Sequence, residues 1–335
     1  MLVLGLLIAM TSGKNASENE ATVEAEPIVT DELENNNKKE VYNILLLGVD
    51  ESQRLTDVLM VVSCDTKTKE ITALQIPRDT YAEYTSSSYR KINAACDVLN
   101  GGEGLSAFIT ENLGIAIDGY VSVDVEAIGE AVDILGGVEI DVPMDMTYKD
   151  PYQNLTIKIK KGEQTLDGEK AKQFVRYREG YVRGDLGRLD AQKLFVSAFL
   201  KSLARKKDIV TAIQLVSAVL PKTDSNLSLK ECIDIIGKMG IPDMNSVKFM
   251  TLPGGDVRTE SGAWYYVMNR SAAYKIIKGY FNPELLEPDF DKKRRFTSAV
   301  RNGFGVIYDA QSGFEIKIYS ADEIDGEMKI ESKYD

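Results

Sequence analysis

The sequence contains no histidine. That absence excludes Ser-His-Asp triads, Cys-His dyads and every zinc site built on imidazole. Chemistry in this chain must rest on carboxylates, arginine, lysine, hydroxyls or a hard metal ion. Cysteine is scarce as well: Cys64, Cys96 and Cys232 lie far apart with no CxxC spacing. Cys64 and Cys96 sit among apolar neighbours, which predicts buried free thiols. Positive charge is also in deficit. Lys and Arg number 40 against 52 Asp and Glu, a net charge of −12 over 335 residues. Such a balance argues against nucleic acid as a partner, because a phosphate backbone needs a basic face. It leaves room for a local basic pocket that holds one or two phosphates.

Long hydrophobic runs are missing too. Leu2 to Met10 is apolar but falls short of the roughly 20 residues that cross a bilayer. Two readings stand for residues 1–12, a partial signal-anchor and a cleaved signal segment. Both place the remainder on the extracytoplasmic side of the cell membrane, and the first would attach it to the membrane surface. Residues 14–40 carry eight acidic and three basic residues and no aromatic one, the composition of a disordered acidic linker.

Folded character begins at Val41. YNILLLGVD, VLMVVSCD and ITALQIPRD are short apolar runs, each stopped by a polar or proline residue, as buried strands are. The second and third form a hairpin around a KTKE turn. LSAFITENLG sets Leu105, Phe108, Ile109 and Leu113 on one helical face. YVSVDV and GGVEIDVP read as strands flanking a helix that runs to Leu135, and LTIKIKKG alternates like a half-exposed strand. GEKAKQFVRYRE and LDAQKLFVSAFLKSLARK read as helices, and SVKFMTLPGG as a late strand. Buried strands mixed with amphipathic helices predict an α/β fold with helices on both faces of a sheet. The folded domain is set at 41–282, followed by a charged extension, 283–335, whose KKRR run at 292–295 reads as a solvated patch.

Three segments carry candidate chemistry. Asp50 ends one strand and Asp57 begins the next, so two carboxylates at neighbouring strand ends can share a cation such as Mg²⁺; turn caps are the simpler reading of each alone. Arg78 leaves a strand after a rigid proline, placed for a bidentate grip on phosphate or for a surface pair with Asp79. FVRYREGYVRGDLGRLDAQK concentrates Arg176, Arg178, Arg183 and Arg188 within thirteen residues, a local reversal of sign in an acidic chain.

In their order along residues 41 to about 200, NILLLGVD, ITALQIPRDTY, KINAA, IDGYVSVD, VDILGGVEIDVP, IKKGEQTLDGEKAKQFVRYR and GDLGR resemble the LytR-CpsA-Psr family of cell-wall glycopolymer ligases. The resemblance implies a three-layer α/β/α fold with a mixed central sheet. It also implies transfer of a glycan phosphate from a polyprenyl-pyrophosphate carrier to a peptidoglycan hydroxyl, with Mg²⁺. Carried over by position, Asp50 and Asp57 match the metal-linked acids. Arg78, Arg176 and Arg178 match the phosphate-gripping arginines, and Gln192 the late glutamine. Lys91, Asp185 and Arg188 fall on further motif positions. This chain departs from the pattern at Leu55-Thr56-Asp57-Val58, where the family often has Arg-Ser-Asp-Thr; Arg54 stands one place earlier. It departs again at Ala191, where the family often has an arginine. In the expected mechanism Arg78, Arg176 and Arg178 neutralise charge on the transferred phosphorus, and one aspartate orients or deprotonates the acceptor hydroxyl. Competing readings are a pyrophosphatase acting on the lipid pyrophosphate and a non-catalytic module that binds polyprenyl phosphate or wall. A transcription regulator is opposed by the acidic charge and the export segment.

Overall fold

The computed structural model describes residues 39–49, 55–84, 91–152, 155–241, 243–259, 262–281, 299–302, 305–309, 318–324, 328 and 330–333. Asp50, Arg54, the 1–12 segment, most of the acidic linker and the KKRR run lie outside the described residues.

Three apolar runs make adjacent strands because each can bury both faces: β1 (Val41–Val49), β2 (Thr56–Asp65) and β3 (Ile71–Ile76). They pair antiparallel, with Leu46 opposite Met60 and Leu59 opposite Ile76. After β3 come a short helix α1 (Ala95–Val98) and α2 (Gly101–Leu113). β4 (Gly119–Val123) returns parallel to β1, and α3 (Val125–Leu135) follows it. Two small hairpins follow, in which β5 (Val138–Val142) pairs with β8 (Gly162–Leu166) and β6 (Met146–Asp150) with β7 (Leu155–Ile159). Next are α4 (Gly168–Arg176), the long α5 (Asp185–Lys206), α6 (Ile209–Val219), the short β9 (Asp224–Ser225) and α7 (Leu229–Met239). β10 (Val247–Thr251) joins β3 in parallel, and the hairpin β11 (Gly254–Arg258) and β12 (Trp264–Met268) leads to α8 (Arg270–Tyr280). Beyond these come a small hairpin, β13 (Ala299–Asn302) and β14 (Gly305–Asp309), and a last strand β15 (Ile318–Ser320).

Among the described residues the central sheet has seven strands in the order β15-β10-β3-β2-β1-β4-β9, mixed in direction. Period-two alternation splits its side chains between two apolar layers. Ile44, Leu46, Met60 and Val62 enter one layer with Val132, Phe174, Phe195 and Phe199 of α3, α4 and α5. Leu45, Leu47, Leu59 and Val61 enter the other with Phe108 and Ile109 of α2 and Ile276 of α8. The fold is therefore the three-layer α/β/α arrangement expected, and the four apolar residues assigned to one face of α2 are all buried. All three cysteines are buried and free; burial pushes the Cys232 thiol up to about 12.

The hairpin β11–β12, helices α6 to α8 and the strand β15 were not anticipated. β15 pairs antiparallel with β10 at the sheet edge, and Ala321 and Ile324 are buried in the first layer. Part of the 283–335 extension is thus built into the domain.

Candidate active site

The antiparallel register that sets Leu59 opposite Ile76 brings the start of β2 beside the end of β3. Carried two residues on, it sets Asp57 opposite Arg78. Pro77 ends β3, and the turn it starts is closed by Thr80 N–H donating to Pro77 O at 2.9 Å. Arg78 Nη1 then donates to Asp57 Oδ1 at 2.8 Å. The loop between α4 and α5 supplies the other walls. Arg178, two residues past the end of α4, bonds the second Asp57 oxygen. Gly184 allows the sharp entry into α5: its φ of 57° and ψ of −124° suit glycine alone. The first turn of α5 then presents Asp185 and Arg188. Asp185 Oδ1 lies 2.7 Å from Arg188 Nη2 and 3.1 Å from Arg78 Nε. Arg188 is nearly enclosed, with its side chain 3% exposed, and its Nη1 is 3.6 Å from Asp57 Oδ1.

Among the described residues Arg78, Arg178 and Arg188 are therefore gathered on Asp57 and Asp185, with Asp79 at the edge of the set. Burial pushes the Asp57 carboxyl up, but Arg178, Arg188 and Arg78 outweigh it and hold it below the usual carboxylate range. Burial lowers the Arg188 guanidinium, and Arg78 and Arg178 push the same way against Asp185 and Asp57. Both Arg78 Nε and Arg188 Nε are buried without a hydrogen-bond partner among the described residues; for Arg78 the contact with Asp185 is an ion pair out of hydrogen-bond alignment. Buried unpaired donors on cations are costly. Two of them beside one carboxylate make a site suited to an anion with several oxygens. The arginines thus favour the ionised form of Asp57, a state that can orient them in turn.

Lys91 lies beside this set. Its Nζ is 3.0 Å from Asp79 Oδ2, and the lysine, not Arg78, is the close partner of Asp79, since Arg78 Nε is 4.0 Å away. Arg176 is the last residue of α4 and half-buried. Gln192 lies beneath the cluster, inside the protein, where its Oε1 accepts from Gln75 Nε2 at 3.2 Å. Sequence reasoning missed three groups. Asp190 and Lys193, both buried, pair at 3.1 Å, and Asp190 also accepts from Arg183 at 2.9 Å while Lys193 donates to Thr251 at 2.6 Å. Tyr181 is fully buried with an unpartnered hydroxyl among the described residues. Tyr181 packs so closely on Gly187 that a Cβ added there would stand 2.6 Å from the Tyr181 Cβ. The i,i+3 acid–lysine pair on the apolar side of α5 was the available signal.

Among the described residues no three acidic or thiol groups gather as a metal cage. Mg²⁺ is commonly held by one or two carboxylates together with phosphate oxygens, and the ionised Asp57 is a donor of that kind. A surface cavity of 510 Å³ between α3 and α4, lined by Glu126, Glu130, Asp133, Glu169 and Lys172, shares no residue with the arginine cluster. No helix among the described residues is long and apolar enough to cross a membrane.

An α/β/α sheet domain with arginines and aspartates gathered at its strand ends is the arrangement expected from the sequence motifs. The LytR_cpsA_psr family profile matches residues 6–280, and the chain belongs to that family. Among its relatives, the Bacillus subtilis (strain 168) polyisoprenyl-teichoic acid–peptidoglycan teichoic acid transferase TagV is 30% identical over 239 residues. That alignment covers 68% of this chain but only 61% of TagV. The transferase TagU of Bacillus mycoides (strain KBAB4) is 30% identical over 250 residues, 71% of this chain and 77% of TagU. The crystal structure of B. subtilis TagV superposes with a TM-score of 0.59 at 26% identity, covering 72% of this chain and 96% of that one. A structure described as TagT bound to LI-WTA gives 0.57 at 26% identity, covering 72% and 89%.

Proposed function

We propose that this protein is a transferase that attaches a glycopolymer to peptidoglycan, moving a glycan phosphate from a polyprenyl-pyrophosphate carrier to a sugar hydroxyl. The observation that carries the reading is the convergence of Arg78, Arg178 and Arg188 on Asp57, with the buried Nε groups of Arg78 and Arg188 making no aligned hydrogen bond among the described residues. The names of the relatives, teichoic acid transferases acting on polyisoprenyl-linked teichoic acid and peptidoglycan, support the same class.

On this reading the pyrophosphate enters between the arginines, and its oxygens take the unpaired Nε donors. Arg78 and Arg178 exchange part of their grip on Asp57 for the anion, while Arg176 and Lys91 extend the positive rim. The acceptor oxygen forms a bond to the glycan-bearing phosphorus as the bond to the polyprenyl phosphate breaks, and the hydroxyl proton passes to the departing phosphate, directly or through an active-site carboxylate. Charge that grows on the bridging and departing oxygens is met by fixed guanidiniums, which is how phosphoryl transfer is generally assisted. Mg²⁺ is proposed at Asp57 with Asp50, where it would supply further neutralisation of the phosphate oxygens. By the family resemblance the polyprenyl chain would lie between the sheet and the helices, on the apolar side that carries Phe174 and Phe195. The site would face the outside of the cell membrane, with the N-terminal segment at the membrane surface.

Losing one oriented charge donor costs about 10²–10³ in rate. Arg78→Ala is expected to lower transfer of a lipid-linked glycan by that factor in a purified assay, with thermal unfolding showing a folded protein, and chelation of divalent cations should stop wild-type transfer. Wild-type turnover by Arg78→Ala would overturn the assignment. Release of free glycan phosphate to water, with none joined to peptidoglycan, would move the protein to the pyrophosphatases.

A further inference from the structure

The hairpin β11–β12 lies outside the arginine cluster, yet it is bolted to it. Tyr266 N–H donates to Asp79 O at 2.9 Å, and Tyr81 N–H donates to Tyr266 O at 2.8 Å. On one face of the hairpin the Tyr265 ring stands edge-on to Tyr81 at 5.2 Å and lies 5.9 Å from Lys91 Nζ. Strand alternation sends Trp264 and Tyr266 to the opposite face. The antiparallel register pairs Trp264 with Arg258 and Tyr266 with Asp256.

That opposite face forms a short ledge. At its inner end Asp256 is exposed and lies in the field of Asp185, Asp79 and Arg183. Partial desolvation at the hairpin's base and the first two acids push its carboxyl up. At its outer end, two residues or about 7 Å further on, Trp264 is 54% exposed with the Arg258 guanidinium 5.8 Å from its ring. A large aromatic ring held open to solvent on a backbone-anchored hairpin, flanked by one cation and one acid, is the chemistry that receives a sugar. The electron-rich ring face takes the C–H face of a pyranose, and the charged neighbours bond its hydroxyls.

We propose that Trp264, Arg258 and Asp256 form a stacking subsite for the acceptor glycan strand, which lays a sugar on Trp264 while the next presents its hydroxyl to the arginines. The inference rests on the transferase reading above. A sugar backbone is favoured over a polyanionic donor polymer because an acid, Asp256, shares the ledge with Trp264 and lies in the field of Asp185 and Asp79.

Trp264 is the only tryptophan in the chain, so its fluorescence reports this ledge and nothing else. Titration of the full chain with oligosaccharides of the peptidoglycan backbone should shift Trp264 emission saturably, and inorganic pyrophosphate should leave it unchanged. Arg258→Ala should weaken that glycan response about tenfold. In the transfer assay Trp264→Ala should raise KM for the acceptor about tenfold with kcat within twofold, and Trp264→Tyr should restore most of the loss. A silent Trp264 during glycan titration, an unchanged acceptor KM in Trp264→Ala, or a response to the donor glycopolymer instead would each overturn the subsite. Its failure is separable from failure of the transferase reading. Arg78→Ala should lose transfer yet keep the glycan-induced emission change. A silent tryptophan with intact, Arg78-dependent transfer would sink the ledge alone.

Discussion

At the scale of the residue, Asp57 is the hinge of the site's electrostatics. Its folded pKa is depressed by Arg178, Arg188 and Arg78 in spite of burial, so its ionised form favours the folded state. That stability is present above the unfolded pKa of about 4 and is lost as pH falls through the depressed folded value. Asp57→Asn removes the charge and leaves Asp185 as the close carboxylate of Arg78 and Arg188 and, among the described residues, none on Arg178, which should cost about 2–4 kcal/mol at pH 7. Chemical denaturation at pH 7 and at pH 3 checks it: the gap between variant and wild type should narrow at low pH. Added pyrophosphate should raise the variant's Tm more than wild type's, because an anion can replace the missing carboxylate. An unchanged midpoint in Asp57→Asn would mean that the carboxylate is not balancing the arginines. Arg78 was legible because Pro77 ends its strand, Asp57 because it opens an apolar run, and Arg178 because four arginines crowd into thirteen residues; the ordered family motifs joined the three. The depth of Arg188 and Gln192 was not. Both lie on α5, which buries charged and apolar side chains alike around much of its circumference, so helical period alone does not separate a site-facing polar residue from a core one.

At the scale of the element, the loop from Tyr177 to Gly184 carries Arg178 and Arg183 and is held by a partner remote in sequence. Val182 N–H donates to Glu331 O at 3.1 Å, Lys333 N–H donates to Gly180 O at 2.7 Å, and Tyr181 bridges antiparallel to Ser332. Two backbone bonds on an exposed segment contribute about 1–3 kcal/mol in all, enough to set the loop's population without deciding the fold. Lys333→Pro deletes one donor and leaves the apolar layers intact. The variant should lose hydrogen-exchange protection at Val182 and drop in kcat by about three- to tenfold, with Tm within roughly 2 °C of wild type. Wild-type exchange at Val182 would show that the strap is not what holds the loop. No local pattern announces this contact. β1 to β3 were legible because apolar runs with polar stops suffice to define buried strands. β15 and the 331–333 strap have too few residues for any period, and only long-range backbone pairing makes them structure.

At the scale of the whole molecule, the family match ends at residue 280, while the folded unit does not. β10 would be an edge strand without β15, presenting its unpaired N–H and C=O groups as a template for another chain. β15 covers three of its residues, pairing Lys248 with Ser320, Phe249 with Tyr319 and Met250 with Ile318. The turn that follows buries Ala321 and Ile324 beside α5, and the Ser197 hydroxyl donates to Ala321 O. Full burial of an aliphatic side chain such as Ile324 is worth about 1.5–3 kcal/mol, and the orphaned Ser197 hydroxyl adds about 1 kcal/mol more when its acceptor goes. A chain ending at Phe281 should therefore lose about 3–5 kcal/mol and roughly 10 °C in Tm, and should self-associate through β10. Ile324→Ala in the full chain separates the two effects: it should lower stability by about 2–4 kcal/mol with the association state of wild type unchanged, because the edge stays covered. Calorimetry and light scattering on both variants decide the matter. A truncated chain as stable and as monomeric as the full one would reduce the extension to an appendage, and the seven-stranded sheet to six strands that matter.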